Sequence, residues 1–167
     1  MVKQPYSSYE ALRLFVWQIM PDLFLGDRGD ARDSALLRAR GITHIVNCSR
    51  ELPCHFEEEF RYLWLRMDDP DPVFGHHTPR FCEFIDKGRS QGKVMVHCTG
   101  GVSRSPAVIL AYLWHLDGSL EEAATRLARA VQTGIDESFF YQLGEFHGTM
   151  LSAVDVKALQ QKLLGRG

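Results

Sequence analysis

Residues 96–105 carry the strongest sequence signal for the fold and the chemistry of this chain. They read Val96-His97-Cys98-Thr99-Gly100-Gly101-Val102-Ser103-Arg104-Ser105. The apolar run 93–97 predicts a short buried strand before the loop, and the apolar positions of 105–116 follow helical spacing. Cys98 therefore lies where a strand ends and a loop leads into a helix, and residues 99–103 separate it from Arg104.

The composition of this loop suits a tetrahedral dianion. Gly100 and Gly101 let the backbone curl, so that successive N–H groups point into one concavity. The N-terminus of the following helix adds partial positive charge at the same place, and that field also favours a cysteine thiolate. We expect Cys98 to attack phosphorus while Arg104 holds the equatorial phosphoryl oxygens. The predicted substrate-binding residues are Thr99, Gly100, Gly101, Val102, Ser103 and Arg104.

Two flanking residues receive supporting roles. Ser105 is expected to donate a hydrogen bond to the sulfur of Cys98, which makes that sulfur a better leaving group. His97 is expected to point into the core and hold the loop through its ring nitrogens. A lone cysteine is more often a small buried hydrophobe, but the junction, the paired glycines and the spacing to Arg104 argue against that reading.

Cleavage of a phosphate ester also requires a proton donor for the departing oxygen. Asp68, Asp69 and Asp71 follow the predicted strand 62–67 on one proline-rich loop. Each one alone would most often be a solvated loop charge. Beside the Cys98 loop, one of them is expected to act as general acid and then as the base that activates water. The residue types do not choose among the three.

The order of predicted elements indicates an α/β domain. Asp30 is expected to cap the first helix, which Gly41 ends. The predicted strands are 23–25, 42–48, 62–67 and 93–97, and the predicted helices are 30–40, 78–89, 105–116, 119–131 and 137–151, with a short helix in the C-terminal tail.

The segment 97–105, followed by Pro-Ala-Val-Ile-Leu-Ala-Tyr-Leu at 106–113, resembles the signature of dual-specificity protein phosphatases. Residues 21–26 and 41–47 are similar to the first two strands of that family, and the resemblance covers roughly 20–150. It implies a protein tyrosine phosphatase-like fold, in which a central twisted, mostly parallel sheet is flanked by helices. It also implies that no metal or organic cofactor takes part.

The resemblance further implies a choice of acid and a division of the chain. The family places its general acid at a strand exit that reads Leu65-Arg66-Met67-Asp68-Asp69 here, so Asp69 is preferred and Asp68 is the alternative. The predicted catalytic residues are thus Cys98, Arg104, Asp69 and Ser105. Three segments are expected: a helical extension 1–19, a catalytic domain 20–151 and a tail 152–167. Three aromatic residues are expected to line the pocket: Phe74, Phe140 and Tyr141.

The composition of the chain limits the classes of binding partner that are expected. The chain has 167 residues, 45% hydrophobic and 24% charged, with a net charge of -2, as expected of one globular domain. The family resemblance implies a member of the small, atypical type. Without a basic excess or a long apolar run, neither nucleic acid nor a membrane is an expected partner. The four cysteines form no CxxC pair, which predicts a reduced protein of the cytoplasm or nucleus.

The expected activity is hydrolysis of phosphotyrosine and phosphoserine or phosphothreonine in proteins through a phosphocysteine intermediate, by a monomer or weak dimer. Two alternatives stay open. One is the same chemistry on a phosphoinositide or an RNA 5′ phosphate, and the other is a catalytically weak scaffold that binds phosphoproteins.

Overall fold

A computed structural model describes residues 17–165 of the chain. Five strands and six helices are present in this range, together with a short 3₁₀ turn at Asp30–Arg32. The strands are β1 (Trp17–Met20), β2 (Leu23–Gly26), β3 (Ile42–Ser49), β4 (Arg61–Met67) and β5 (Lys93–His97). The helices are α1 (Ser34–Arg40), α2 (Phe74–Gln91), α3 (Arg104–Asp117), α4 (Leu120–Ala130), α5 (Glu137–Phe146) and α6 (Ala153–Leu163).

The strands form one sheet in the order β1-β2-β5-β3-β4. The four strands from β2 to β4 run parallel, and only β1 is antiparallel to its neighbour. Successive strand residues face opposite sides of the sheet. Val94 and Val96 accordingly join the large core cluster with helices α2 to α6, whereas Met95 joins a smaller cluster with Leu37 of α1. The predicted mostly parallel sheet flanked by helices is confirmed.

The first helix begins later than the sequence indicates. Asp33, not Asp30, caps α1, because the Asp33 side chain accepts the N–H of Leu36 at 2.9 Å. Asp30 lies in the separate 3₁₀ turn, where its buried carboxylate accepts the N–H of Asp27. Gly41 ends α1 as predicted, in the left-handed region at φ 74°.

Several other boundaries also differ from prediction. Residues 17–19, expected to be helical, belong to the strand β1; the rest of the predicted extension 1–19 lies outside the described residues. Helix α5 ends at Phe146 instead of continuing to 151, and Gly148 follows it at φ 66°. The predicted tail helix is present as α6, which buries Val156 and Leu163 against the core.

Parallel pairing brings three loops to one edge of the sheet. Asn47 of β3 is in register with His97 of β5, and Ser49 of β3 is in register with Met67 of β4. The loops that follow these strands, 50–60, 68–73 and 98–103, therefore meet at the carboxyl ends of the strands. All four cysteines are free thiols. Within residues 17–165 no helix is long and apolar enough to span a bilayer.

Candidate active site

The loop after β5 wraps around the sulfur of Cys98. The backbone N–H of Gly101 donates to Sγ at 3.2 Å, and the hydroxyl of Ser105 donates to it at 3.1 Å. Gly101 adopts φ 68°, and a Cβ there would lie 3.2 Å from the carbonyl oxygen of Gly26. Glycine is thus required both by the backbone angle and by the close approach of the neighbouring loop. Two hydrogen-bond donors stabilise charge on the sulfur.

His97 holds the loop from inside the core. Its side chain is buried, and Nδ1 lies 3.4 Å from the carbonyl oxygen of Cys98. Burial lowers the pKa of His97 to about 4, so the imidazole is neutral near pH 7. From the other side, the N–H of Arg28 donates to the carbonyl oxygen of Thr99 at 3.0 Å.

The guanidinium of Arg104 is already held along one edge. An arginine has five N–H bonds, four of them on the two Nη atoms. Nη1 donates to a Glu51 oxygen at 2.8 Å and to the carbonyl oxygen of Met67 at 3.1 Å. Nη2 donates to the other Glu51 oxygen at 2.5 Å and to Thr99 Oγ1 at 3.2 Å. Nε is buried without a hydrogen-bond partner among the described residues, so its N–H is the one guanidinium N–H group without an acceptor there.

Glu51 is a site residue that the sequence analysis missed. It holds Arg104 in a two-pronged ion pair and also accepts a hydrogen bond from the Thr99 hydroxyl. The hydrogen bond from Arg104, with a further contribution from Thr99, lowers the pKa of Glu51 to about 2. The same pair raises the pKa of Arg104. The only available sequence signal was the position of Glu51, two residues beyond a strand that ends at the site edge.

The three aspartates of the loop after β4 have three different environments. Asp69 Oδ1 accepts the hydroxyl of Ser103, a residue of the Cys98 loop, at 2.9 Å. Asp68 pairs with Arg50 at the surface, through contacts of 2.8 and 3.0 Å. Asp71 is buried and accepts the N–H groups of Asp68 and Val73, so it shapes its own loop. The structure therefore brings Asp69, not Asp68 or Asp71, to the Cys98 loop.

These side chains border one open cavity of about 390 Å³. Its walls are Asp69, Cys98, Gly100, Val102, Ser103, Arg104, Gly134 and Asp136. The predicted aromatic lining is wrong, because Phe74 and Phe140 are fully buried in the core and Tyr141 does not border the cavity. Gly134 and Asp136 had not been predicted.

The loop before α5 is joined to the site by hydrogen bonds. Asp136 caps α5 by accepting the N–H of Ser138, and its own N–H reaches Ser103 Oγ at 3.3 Å. The N–H of Gly134 donates to the carbonyl oxygen of Val102 at 3.0 Å. Ser103 thus links Asp69 to Asp136, and all three residues border the cavity.

Comparison with known proteins agrees with this geometry. The family model described as the dual specificity phosphatase catalytic domain matches residues 23–148. The chain belongs to the dual-specificity phosphatase family. Human Protein phosphatase Slingshot homolog 3 is 32% identical over 152 residues, which are 89% of this chain and 23% of that protein. Human Dual specificity protein phosphatase 2 is 41% identical over 98 residues, covering 58% of this chain and 31% of that protein.

A solved structure supports the same assignment for the phosphatase domain. The crystal structure of human tyrosine phosphatase-like serine/threonine/tyrosine-interacting protein is 30% identical and has a TM-score of 0.69. The match covers 79% of this chain and 95% of that chain. The fold of this phosphatase domain is thus shared along most of its length.

Proposed function

We propose that this domain hydrolyses phosphotyrosine and phosphoserine or phosphothreonine in proteins through a phosphocysteine intermediate. One observation carries the proposal: the doubly hydrogen-bonded sulfur of Cys98 borders the same cavity as Arg104 and Asp69. Nucleophile, oxyanion-binding cation and proton donor are the three groups that a metal-independent phosphoryl transfer requires.

In the first step the Cys98 thiolate attacks phosphorus, and an S–P bond forms as the P–O ester bond breaks. Asp69, in its protonated form, gives its proton to the departing oxygen, which leaves as an alcohol or phenol. Nε of Arg104 and the N–H groups of the Cys98 loop hold the equatorial oxygens, whose charge they stabilise in the transition state.

In the second step water attacks phosphorus, and the S–P bond breaks. Asp69, now ionised, accepts the proton of that water. The electron pair returns to the sulfur, where the hydroxyl of Ser105 at 3.1 Å stabilises the developing thiolate. Inorganic phosphate leaves, and the enzyme regains its starting state.

The charge around the cavity supports a phosphoprotein rather than a polyanion. Asp69 and Asp136 both border the cavity, and the Nη edge of Arg104 is occupied by Glu51. No other lysine or arginine of residues 17–165 lines it. A single phosphate monoester can be held by the loop N–H groups and Nε. Additional phosphates, as in a phosphoinositide or an RNA, would meet carboxylates instead.

A scaffold that binds phosphoproteins without hydrolysing them is the second candidate function. The similarity to human tyrosine phosphatase-like serine/threonine/tyrosine-interacting protein favours this candidate. The two functions differ in turnover. We therefore propose to assay wild type against an aryl phosphate, three phosphopeptides carrying phosphotyrosine, phosphothreonine or phosphoserine, a phosphoinositide and a 5′-phosphorylated RNA. Hydrolysis of the aryl and peptide substrates supports the proposal. Turnover confined to the lipid or the RNA contradicts it, and binding without hydrolysis indicates the scaffold.

A further inference from the structure

A second cavity lies beside the one that contains Cys98. It measures about 380 Å³ and is formed by Thr133, Gly134, Ile135, Asp136, Glu137, Gln160 and Leu164. Gly134 and Asp136 belong to the walls of both cavities, so the two are adjoining compartments of one cleft. Each lies near the lower end of the size range of small-ligand pockets, which suits a single side chain.

The wall of this second cavity is well ordered by hydrogen bonds. Gln160 of α6 donates from Nε2 to the carbonyl oxygen of Ile135 at 3.0 Å. The N–H of Thr133 donates to the carbonyl oxygen of Leu163 at 2.9 Å. α6 therefore fixes the segment before α5 that separates the two compartments.

Two features of the wall suit a ligand. A Cβ on Gly134 would lie 3.4 Å from Val102, which lines the first cavity, and 4.0 Å from Leu164, which lines the second. The hydroxyl of Thr133 is buried without a hydrogen-bond partner among the described residues. Thr133 is also one of the residues that line the cavity, and buried hydroxyls are usually paired.

The charge of the second cavity is negative. Asp136 and Glu137 both border it, and neither forms an ion pair with any residue of 17–165. No lysine or arginine of that range contributes to its wall. A cation placed there would interact with two carboxylates and with the phosphate dianion in the adjoining compartment. A second anion would be repelled by all three.

We propose that this cavity is a specificity subsite that receives a lysine or arginine side chain adjacent to the phosphorylated residue of the substrate. The inference rests on the proposed function, because it names the sequence context that the phosphatase selects. The stem of a lysine or arginine would pack along Leu164 and Ile135, and its charged head would reach Asp136 and Glu137. The same charges discriminate against an acidic or doubly phosphorylated neighbour.

Kinetics on matched phosphopeptides test the subsite. Each peptide carries one phosphotyrosine in a neutral sequence, with Arg, Ala or Glu immediately before or immediately after it. On one of the two sides we expect kcat/KM to be roughly two- to fivefold higher for Arg than for Ala, which is the contribution of a partly exposed ion pair. Glu should lower it below Ala. Added salt should reduce the advantage of Arg, since these charges reach solvent.

Kinetics of three variants test whether the preference for Arg arises from the second cavity. Glu137→Gln and Asp136→Asn each remove one carboxylate, and asparagine keeps the cap of α5. Both should reduce the Arg-to-Ala ratio of kcat/KM. Glu145→Gln is the matched control, because Glu145 is an exposed residue of the same helix about 12 Å further along its axis. This control should leave the ratio unchanged.

The outcomes separate the subsite from the proposed function. If wild type hydrolyses aryl phosphate but shows no preference for Arg on either side, the subsite is wrong and the function stands. An Arg preference that persists in both cavity variants also overturns the subsite. If wild type hydrolyses nothing, the proposed function fails. Binding of the same peptides to Cys98→Ser, followed by fluorescence polarisation, then still measures whether Arg is preferred.

Discussion

The loop that carries Cys98 and the loop that carries Asp69 meet in one cavity, yet they are built on different principles. The Cys98 loop acts mainly through its backbone: Gly101 presents its N–H to the sulfur, and Gly101 needs its positive φ to do so. The loop after β4 acts through one side chain out of three similar carboxylates. A site formed by backbone N–H groups depends on the glycine positions and the residue spacing of its loop. A site formed by side chains depends on which residues each side chain contacts in the folded protein.

The two loops also differ in what holds them. Thr99 of the Cys98 loop and Arg104 at the start of α3 are hydrogen-bonded to Glu51, and Thr99 also accepts a hydrogen bond from Arg28. Asp69 has one described contact to the other loop, the hydroxyl of Ser103. Cys98 and its loop are thus positioned by many hydrogen bonds and Asp69 by few. Changes in the two loops should therefore differ in size and in kind.

The largest effect is expected from Cys98→Ser. A serine hydroxyl is a far weaker nucleophile at neutral pH than a thiolate, so kcat on aryl phosphate should fall by about 10⁴-fold or more. Circular dichroism should show an unchanged fold, because the substitution replaces one small buried group by another. Residual activity above one tenth of wild type would show that the Cys98 loop does not supply the nucleophile.

The next effect distinguishes the aspartates. Asp69→Asn removes the proton donor and should lower kcat on a poor leaving group by about 10²- to 10⁴-fold. Asp68→Asn is the matched control: it removes an equal charge one residue away, from a surface pair with Arg50, and should change kcat less than about twofold. If Asp68→Asn is the slower of the two, the assignment of the acid from the cavity geometry is wrong.

A smaller effect is expected from Glu51→Gln, because Glu51 holds Arg104 and does not itself border the cavity. Loss of a charged hydrogen-bonded partner should reduce kcat/KM about ten- to hundredfold. The pKa of Glu51, about 2, keeps it ionised in any ordinary assay, so the ratio of wild-type to variant activity should be constant from about pH 5 to about pH 8. Glu58→Gln, an exposed change in the same loop, should have no effect; equal losses in both variants would contradict the positioning role.

The smallest effect concerns Asp30, which lies two residues after Arg28, the residue whose N–H donates to the Cys98 loop. Burial raises the pKa of Asp30 from 3.8 to about 6, so the folded protein binds this proton more tightly than the unfolded chain does. Stability is therefore lost as pH rises from about 4 to about 6. Asp30→Asn keeps an acceptor for the N–H of Asp27, and its advantage over wild type in unfolding free energy should grow by about 2–3 kcal/mol between pH 4 and pH 7. A difference that does not vary with pH in urea titrations would contradict the shift.

Much of the fold follows from the sequence because its signals are local. Apolar runs, Gly41 and the Cys98 loop set the parallel strands and the junction of β5 with α3. Asp30 and Asp33 are both good helix caps, and only the extra 3₁₀ turn decides between them. β1 has only four residues, so its sequence pattern is too short to predict a strand.

The part of the site that lies within one short segment is likewise predictable, because its sequence signals are local. Cys98, Ser105 and the glycines of their loop act within one short segment. The partner of Arg104 could not be predicted, because Glu51 lies 53 residues away and resembles any solvated loop charge. Gly134 and Asp136 belong to the segment before α5. Tertiary hydrogen bonds to Val102 and Ser103 place this segment at the cavity, and no local sequence pattern predicts those bonds.

The central claim is that Cys98 carries the phosphoryl group between the two steps. Rapid acid quenching of wild type during turnover of an aryl phosphate, followed by peptide mass spectrometry, measures this directly. We predict one phosphoryl group on the peptide that contains Cys98, and none on that peptide from Cys98→Ser. Steady turnover with the phosphoryl group on another residue would contradict this mechanism. The absence of any phosphoenzyme would also contradict it, if single-turnover kinetics show that the second step limits the rate.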